Sequence, residues 1–179
     1  MQLTTKRLIL RGPRPDDLAG MFANYSDPRA MRFWSTGPHA DPSVTQRILD
    51  QHIAAWAKAQ VYFQITLDGR YIGNAGNYHK DEIGFMLHPD YWRQGILTEA
   101  MQAIIPHLWD VTDHAQLTAD VDPNNAASVG LLKKLGFAET HRAANTFCID
   151  GLWSDSVYLA LQRPSYLAGR FSRNATTPS

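Results

Sequence analysis

The sequence predicts an α+β (α/β) domain: a mixed, mostly antiparallel sheet of about seven strands flanked by about four helices. Three observations carry this. Residues 61–88 alternate with period two across two turns, which makes three consecutive antiparallel strands. The apolar run Ile83-Gly84-Phe85-Met86-Leu87 then enters a helix through the glycine-bearing turn Tyr91-Trp92-Arg93-Gln94-Gly95. A further strand, Gln116 to Val121, follows that helix, so a βαβ unit stands behind the hairpins.

Each element has a local reason. Arg7 to Arg11 forms a first strand, stopped by Gly12 and Pro13. Pro15 opens a helix whose first turn carries Asp16 and Asp17, with Leu18, Met21, Phe22 and Tyr25 on one face. Asp27-Pro28 begins a short helical piece carrying Met31, Phe33 and Trp34, and 37–43 is a loop. Asp41 and Pro42 supply the cap and first residue of a helix burying Val44, Ile48, Leu49, His52, Ile53 and Trp56. Val61, Phe63, Ile65 and Leu67 alternate with polar neighbours, and Asp68-Gly69 is a hairpin turn into Tyr71–Tyr78. His79-Lys80-Asp81 turns the chain into Glu82–His88.

Beyond the turn, Ile96, Leu97, Ala100, Met101, Ile104, Ile105 and Leu108 form one helical stripe, which Pro106 is expected to bend or shorten. A second helix, about Asn125 to Leu135, closes at Gly136. Phe137 starts an extended region whose hairpin turns at Asp150-Gly151 and ends near Leu161. The domain is expected to span 1–163, with an irregular tail over 164–179.

Composition limits the function classes. Of 179 residues, 44% are hydrophobic and 19% charged, which suits one domain with a sizeable core. Seventeen basic residues balance seventeen acidic ones, so no global attraction to nucleic acid or an anionic membrane is expected. Cys148 is the single cysteine; it excludes an intrachain disulfide and reads as a small buried hydrophobe. No apolar run approaches the roughly 20 residues a membrane helix needs, and the first residues lack a signal-peptide pattern, so the expected location is cytoplasmic. No metal is expected.

The turn before the long helix is the chemically informative segment. Such a turn leaves several backbone N–H groups without intrahelical partners, and the helix dipole adds positive potential there. That suits a phosphate or pyrophosphate. The alternative is an ordinary connection whose glycine only allows a tight turn.

Four segments in order resemble the GCN5-related N-acetyltransferase (GNAT) family, most closely its RimJ/RimL branch of ribosomal-protein N-terminal acetyltransferases. Thr5-Lys6-Arg7-Leu8-Ile9-Leu10-Arg11 resembles the branch's opening strand. Glu82 to Gly95 resembles its acyl-CoA strand and pyrophosphate loop. Asp122 to Val129, ending in Leu135-Gly136-Phe137, resembles its second cofactor motif. Gly151 to Tyr158 resembles its closing hairpin. The resemblance covers roughly 4–161 and implies the GNAT fold with splayed central strands.

It also implies a site. The pantetheine arm of acetyl-CoA (coenzyme A) would run along Phe85, Met86 and Leu87, with a backbone N–H near Met86 or Leu87 polarising the thioester. The pyrophosphate would sit on Arg93, Gln94, Gly95, Ile96, Leu97 and Thr98. Asn125 matches the residue that bonds the pantetheine arm, and reads otherwise as a helix cap. Ser128 matches a serine that protonates the thiolate, and reads otherwise as a helix serine bonding back to a carbonyl. Glu82 matches a carboxylate that takes the ammonium proton through water, and reads otherwise as a solvated strand-end acid.

His79 is a second base candidate by its ordinary pKa, set against an exposed turn histidine. Phe33, Trp34, Asp155 and Tyr158 are candidates for the acceptor pocket, each with a packing or surface alternative. Two departures stand out: Leu97 replaces a small loop residue, and Leu132 replaces the tyrosine that many relatives use as acid. The implied reaction is direct transfer of acetyl to a small-molecule amine or a protein N-terminus by a monomer or homodimer. The alternative is a catalytically weak acyl-CoA sensor or scaffold. An unrelated nucleotide binder is disfavoured by the absence of a longer glycine fingerprint.

Overall fold

A computed structural model describes residues 1–149 and 151–163. The elements in order are β1 (Gln2–Thr4), β2 (Leu8–Arg11), α1 (Leu18–Tyr25), α2 (Pro28–Met31), α3 (Pro42–Lys58), β3 (Tyr62–Leu67), β4 (Arg70–His79) and β5 (Glu82–Leu87). There follow α4 (Ile96–Val111), β6 (Gln116–Val121), α5 (Ala126–Lys134), β7 (Ala138–Ile149) and β8 (Leu152–Gln162). One sheet of eight strands runs β1-β2-β3-β4-β5-β6-β8-β7. All neighbours are antiparallel except β5 and β6. A parallel pair needs a crossover, and α4 supplies it.

Strand alternation sorts side chains onto two faces. Ile83, Phe85 and Leu87 of β5 join Leu117, Ala119, Val157, Leu159 and Leu161 in the main core, which also holds the inner face of α4 and Leu132 of α5. Met86 points the other way, into a smaller cluster with Met21, Tyr25, Met31 and Leu49 from α1, α2 and α3. The sheet is therefore a middle layer between α4–α5 and α1–α3. Where β6, β8 and β7 extend beyond α1–α3, side chains of that second face line an open cleft.

Caps and turns fall where the local chemistry puts them. Asp41 accepts the Ser43 N–H at 2.7 Å as the cap of α3. Asp68 and Gly69 both take positive φ, as a tight hairpin turn requires. Asp150 of the expected last turn and the tail 164–179 lie outside the described residues.

The structure corrects the sequence reading in several places. The mixed, mostly antiparallel architecture is as expected, and among the described residues it has eight strands and five α-helices beside the about seven and about four expected, Gln2–Thr4 pairing with β2 as a short edge strand. Phe33 and Trp34 lie beyond the end of α2. Gln64 and Thr66 are buried like their apolar neighbours, since β3 is covered on both faces. Pro106 does not shorten α4, which runs on to Val111. An interior proline costs about 3 kcal/mol, but full burial returns roughly 1.5–3 kcal/mol for each large side chain, and Leu108 and Trp109 beyond it are both buried. Cys148 is exposed rather than buried. It lies where the β7–β8 hairpin projects past the last β6–β8 pair, Val121↔Val157, so β6 gives it no cover.

Candidate active site

The site begins where two parallel strands part. β5 and β6 share one register pair, Glu82↔Thr118, fixed by the Thr118 N–H donating to the Asp81 carbonyl at 2.8 Å. Beyond it β5 stays paired with β4 as far as Gly73↔Leu87, while β6 turns away towards β8. The His88 N–H donates to the Ile72 carbonyl of β4 at 2.8 Å. Alternation then turns the N–H groups of Leu87 and Phe85 towards the gap left by β6. Among the described residues this gap is an open strand edge, the kind of edge an extended amide-bearing chain can pair with.

The end of that edge is anchored. The Trp92 indole N–H donates to the Leu87 carbonyl at 2.8 Å, tying the following turn to the strand. Arg93 and Gly95 both adopt left-handed backbone, at φ 59° and 72°. Gly95 is the cap residue of α4 and offers no side-chain bond. The first intrahelical bond runs from the Glu99 N–H to the Gly95 carbonyl, so the N–H groups of Ile96, Leu97 and Thr98 are not engaged by the helix. Arg93 and Gln94 are exposed, and Gln94 Nε2 closes the loop onto the Asp90 carbonyl at 3.0 Å. Leu97 packs against the main core.

A clamp not anticipated from the sequence holds this turn. Glu99 in the first turn of α4 accepts from the Thr5 hydroxyl at 2.6 Å, the Arg7 N–H at 2.8 Å and Arg7 Nε at 2.7 Å. The opening segment of the chain therefore buttresses the start of α4. Burial works against the Glu99 charge, but these donors prevail and lower its pKa.

On the far side of the gap, Asn125 caps α5, its Oδ1 accepting the Ser128 N–H at 3.2 Å. The amide nitrogen of Asn125 donates to none of the described residues, and neither does the Ser128 hydroxyl. Ser26 and Thr112 do bond back to helix carbonyls, at 2.6 and 2.8 Å, so Ser128 is unlike them. Leu132 has no exposed surface and belongs to the core.

A second group of side chains uses the other face of the sheet. Glu82, Asp120, His141 and Tyr158 line one cleft of about 400 Å³. The registers Glu82↔Thr118, Asp120↔Tyr158 and His141↔Tyr158 bring them together across β5, β6, β8 and β7. The His141 and Tyr158 rings stack at 4.3 Å, 8° from parallel. Burial, followed by the charge of Asp120, raises the Glu82 pKa; Asp81 adds to this and His79, on the paired end of β4, opposes it. Trp34 packs against the cluster that contains Met86, whereas Phe33 lies beneath the Arg32 guanidinium. Asp155 is three residues from Tyr158, on the opposite face of β8, and its carboxylate accepts the Asn145 N–H at 3.0 Å. Sequence reading named Glu82 and Tyr158 but not Asp120 or His141, which look locally like ordinary strand residues.

Residues 7–138 match the family model described as an acetyltransferase (GNAT) domain. A curated relative, the [ribosomal protein uS5]-alanine N-acetyltransferase of Escherichia coli (strain K12), is 30% identical over 95 residues. That alignment covers 53% of this chain and 49% of the relative, so the chain spans about half the length of that protein. A GNAT-family acetyltransferase structure from Bacillus anthracis superposes with a TM-score of 0.80 at 21% identity, covering 90% of this chain and 98% of the other. A microcin C7 self-immunity acetyltransferase, solved in complex with acetyl-CoA and AMP, superposes with a TM-score of 0.75 at 15% identity, covering 88% and 93%.

Proposed function

The chain belongs to the GNAT acetyltransferase family, and on that premise we propose that it is an N-acetyltransferase that moves acetyl from acetyl-CoA to a primary amine within a ternary complex. The observation that carries this is the parted β5–β6 edge followed by a turn whose main-chain N–H groups make an anion seat. The N–H groups of Phe85 and Leu87 on the open edge, the left-handed Arg93 and Gly95, and the N–H groups of Ile96, Leu97 and Thr98 that the helix does not engage follow one another along the chain. An amide-bearing arm ending in a pyrophosphate fits that order. The relative solved with acetyl-CoA supports the same cofactor.

The bound cofactor supplies an activated acetyl thioester. Phe85, Met86 and Leu87 would hold its amide arm, with the Leu87 N–H aimed at the carbonyl oxygen, where developing charge is stabilised. Arg93 to Thr98 would hold the pyrophosphate and Asn125 Nδ2 an arm carbonyl. Glu82 removes a proton from the acceptor ammonium, directly or through water, because only the neutral amine is nucleophilic. Its raised pKa makes the carboxylate a stronger base. Ser128 delivers a proton to the departing sulfur, a modest task because a thiol is itself moderately acidic, with a pKa of about 8.5.

The acceptor is a protein N-terminus or a small amine; the uS5-alanine relative favours the former. The domain comprises 1–163, as monomer or homodimer in the cytoplasm. No helix among the described residues is long and apolar enough to cross a membrane. The test is CoA-thiol release with Ser- and Ala-initiated peptides, spermidine and aminoglycosides. Turnover with at least one is expected. Tight acetyl-CoA binding without turnover of any would instead favour an acyl-CoA sensor.

A further inference from the structure

The carboxylate of Asp120 is not explained by the proposed transfer. Its Oδ1 is fully buried and accepts no hydrogen bond from the described residues. A desolvated carboxylate oxygen without a donor costs free energy, and a native structure retains one only where something compensates it. Asp120 stands on the arm of β6 that diverges from β5, two residues beyond Thr118, and therefore on the same face as Glu82. It lines the cleft with Glu82, Tyr158 and His141, and among the described residues neither lysine nor arginine lines it with them. The flat His141–Tyr158 stack forms a wall of the same cleft.

Resting on the transferase reading, we propose that Asp120 is a positioning residue that seats the acceptor as its ammonium and holds it beside Glu82. Entry of a cation against this carboxylate offsets the charge that its buried Oδ1 carries without a donor and relieves the repulsion between two carboxylates in one cleft. Loss of one proton to Glu82 then leaves the neutral amine still hydrogen-bonded to Asp120. The cleft thereby selects amines that arrive protonated, and it disfavours acceptors with a carboxylate next to the amine. Among the described residues, the charged or titratable groups around Glu82 are His79 on β4, Asp81 in the preceding turn, Asp120 on β6, His141 on β7 and Tyr158 on β8.

The test uses the full chain, n-butylammonium as probe, and the Asp120→Asn and Asp120→Glu variants. Carboxyl-carbon NMR follows butylammonium binding and the Glu82 titration, and calorimetry follows acetyl-CoA binding. Asp120→Asn is expected to weaken butylammonium about tenfold and to move the Glu82 midpoint to lower pH. Asp120→Glu is expected to keep most of both properties, and acetyl-CoA affinity stays unchanged in all three proteins as a check on folding. Absence of butylammonium binding to the unaltered protein, equal losses in both variants, or an unmoved Glu82 midpoint would each overturn the role of Asp120. Failure of the transferase reading looks different: no acetyl-CoA binding, or no turnover of any amine, with the cation seat intact.

Discussion

The two sides of the β5–β6 gap are made of different material. The side proposed for the cofactor is mostly main chain: outward N–H groups of β5, two left-handed residues in the following turn and the first turn of α4. The side proposed for the acceptor is side chain, with Glu82, Asp120, His141 and Tyr158 on four strands. A main-chain site is specified by a short contiguous segment and tolerates side-chain change, which is how Leu97 occupies a place usually held by a small residue. A side-chain site is specified by register, and each group in it is individually replaceable. The difference predicts that substitutions on the acceptor side change chemistry without loss of cofactor affinity, whereas those on the cofactor side do the reverse.

The largest expected effect is at Glu82. Glu82→Gln keeps the size of the side chain and removes the base, so kcat is expected to fall about a hundredfold or more while acetyl-CoA affinity, read by calorimetry, is unchanged. Comparable losses in both would break the division between the two sides. In the unaltered protein, activity is expected to rise with pH through a Glu82 pKa lying above its ordinary 4.5. Stability has the opposite sign. Between 4.5 and the raised folded value the native state binds more protons than the unfolded chain, so stability falls as pH rises through that window. Glu82→Gln is therefore expected to melt above the unaltered protein at neutral pH and level with it below pH 4.5. A melting advantage that persists in acid would point to a cause other than charge.

Asn125 tests the cofactor side. Its Oδ1 serves as the cap of α5, and its amide nitrogen is the group left for the pantetheine arm. Asn125→Asp preserves the acceptor and is an equally good cap, so thermal stability is expected to hold within about 0.5 kcal/mol. Acetyl-CoA affinity is expected to fall about tenfold, because the donor is gone. Asn125→Ala removes both and is expected to cost about 1 kcal/mol of stability as well. Full affinity in Asn125→Asp would leave Asn125 as a cap alone.

The same division explains what the sequence disclosed. Asp41, Asp68-Gly69, Gly95 and Asn125 were legible because a cap or turn is decided by residues a few positions apart. The strand β5, the turn after it and the helices α4 and α5 were legible for that reason. Asp120 and His141 were not. Asp120 lies in Leu117-Thr118-Ala119-Asp120-Val121, a plain alternation in which a polar residue signals only an outward face. Its meaning comes from a parallel register with β5 and an antiparallel one with β8, which join residues 82, 120, 141 and 158. The Thr5–Arg7–Glu99 clamp is non-local in the same way. Cys148 and Pro106 were misread because their outcome depends on tertiary cover: none for Cys148 at the projecting hairpin, and a core deep enough to outweigh the proline cost for α4.

The smallest expected effect is at Ser128, and it sits where the two sides meet. Leu132 is locked in the core, so the position of the usual acid cannot supply a proton, and Ser128 is the hydroxyl near the start of α5 that spends no bond on its own helix. A serine hydroxyl is a far weaker acid than a thiol, so in the proposed role it would act by relaying and orienting a proton rather than by supplying a driving force. Ser128→Ala is therefore expected to lower kcat only about threefold to tenfold, with acetyl-CoA affinity unchanged, when CoA-thiol release is followed near neutral pH. The deficit should shrink as pH approaches the thiol pKa, because the thiolate then departs without protonation. A loss of a hundredfold or more would make Ser128 an obligatory acid. A loss confined to acetyl-CoA affinity would instead assign its hydroxyl to the main-chain side of the gap, as one more contact to the pantetheine arm.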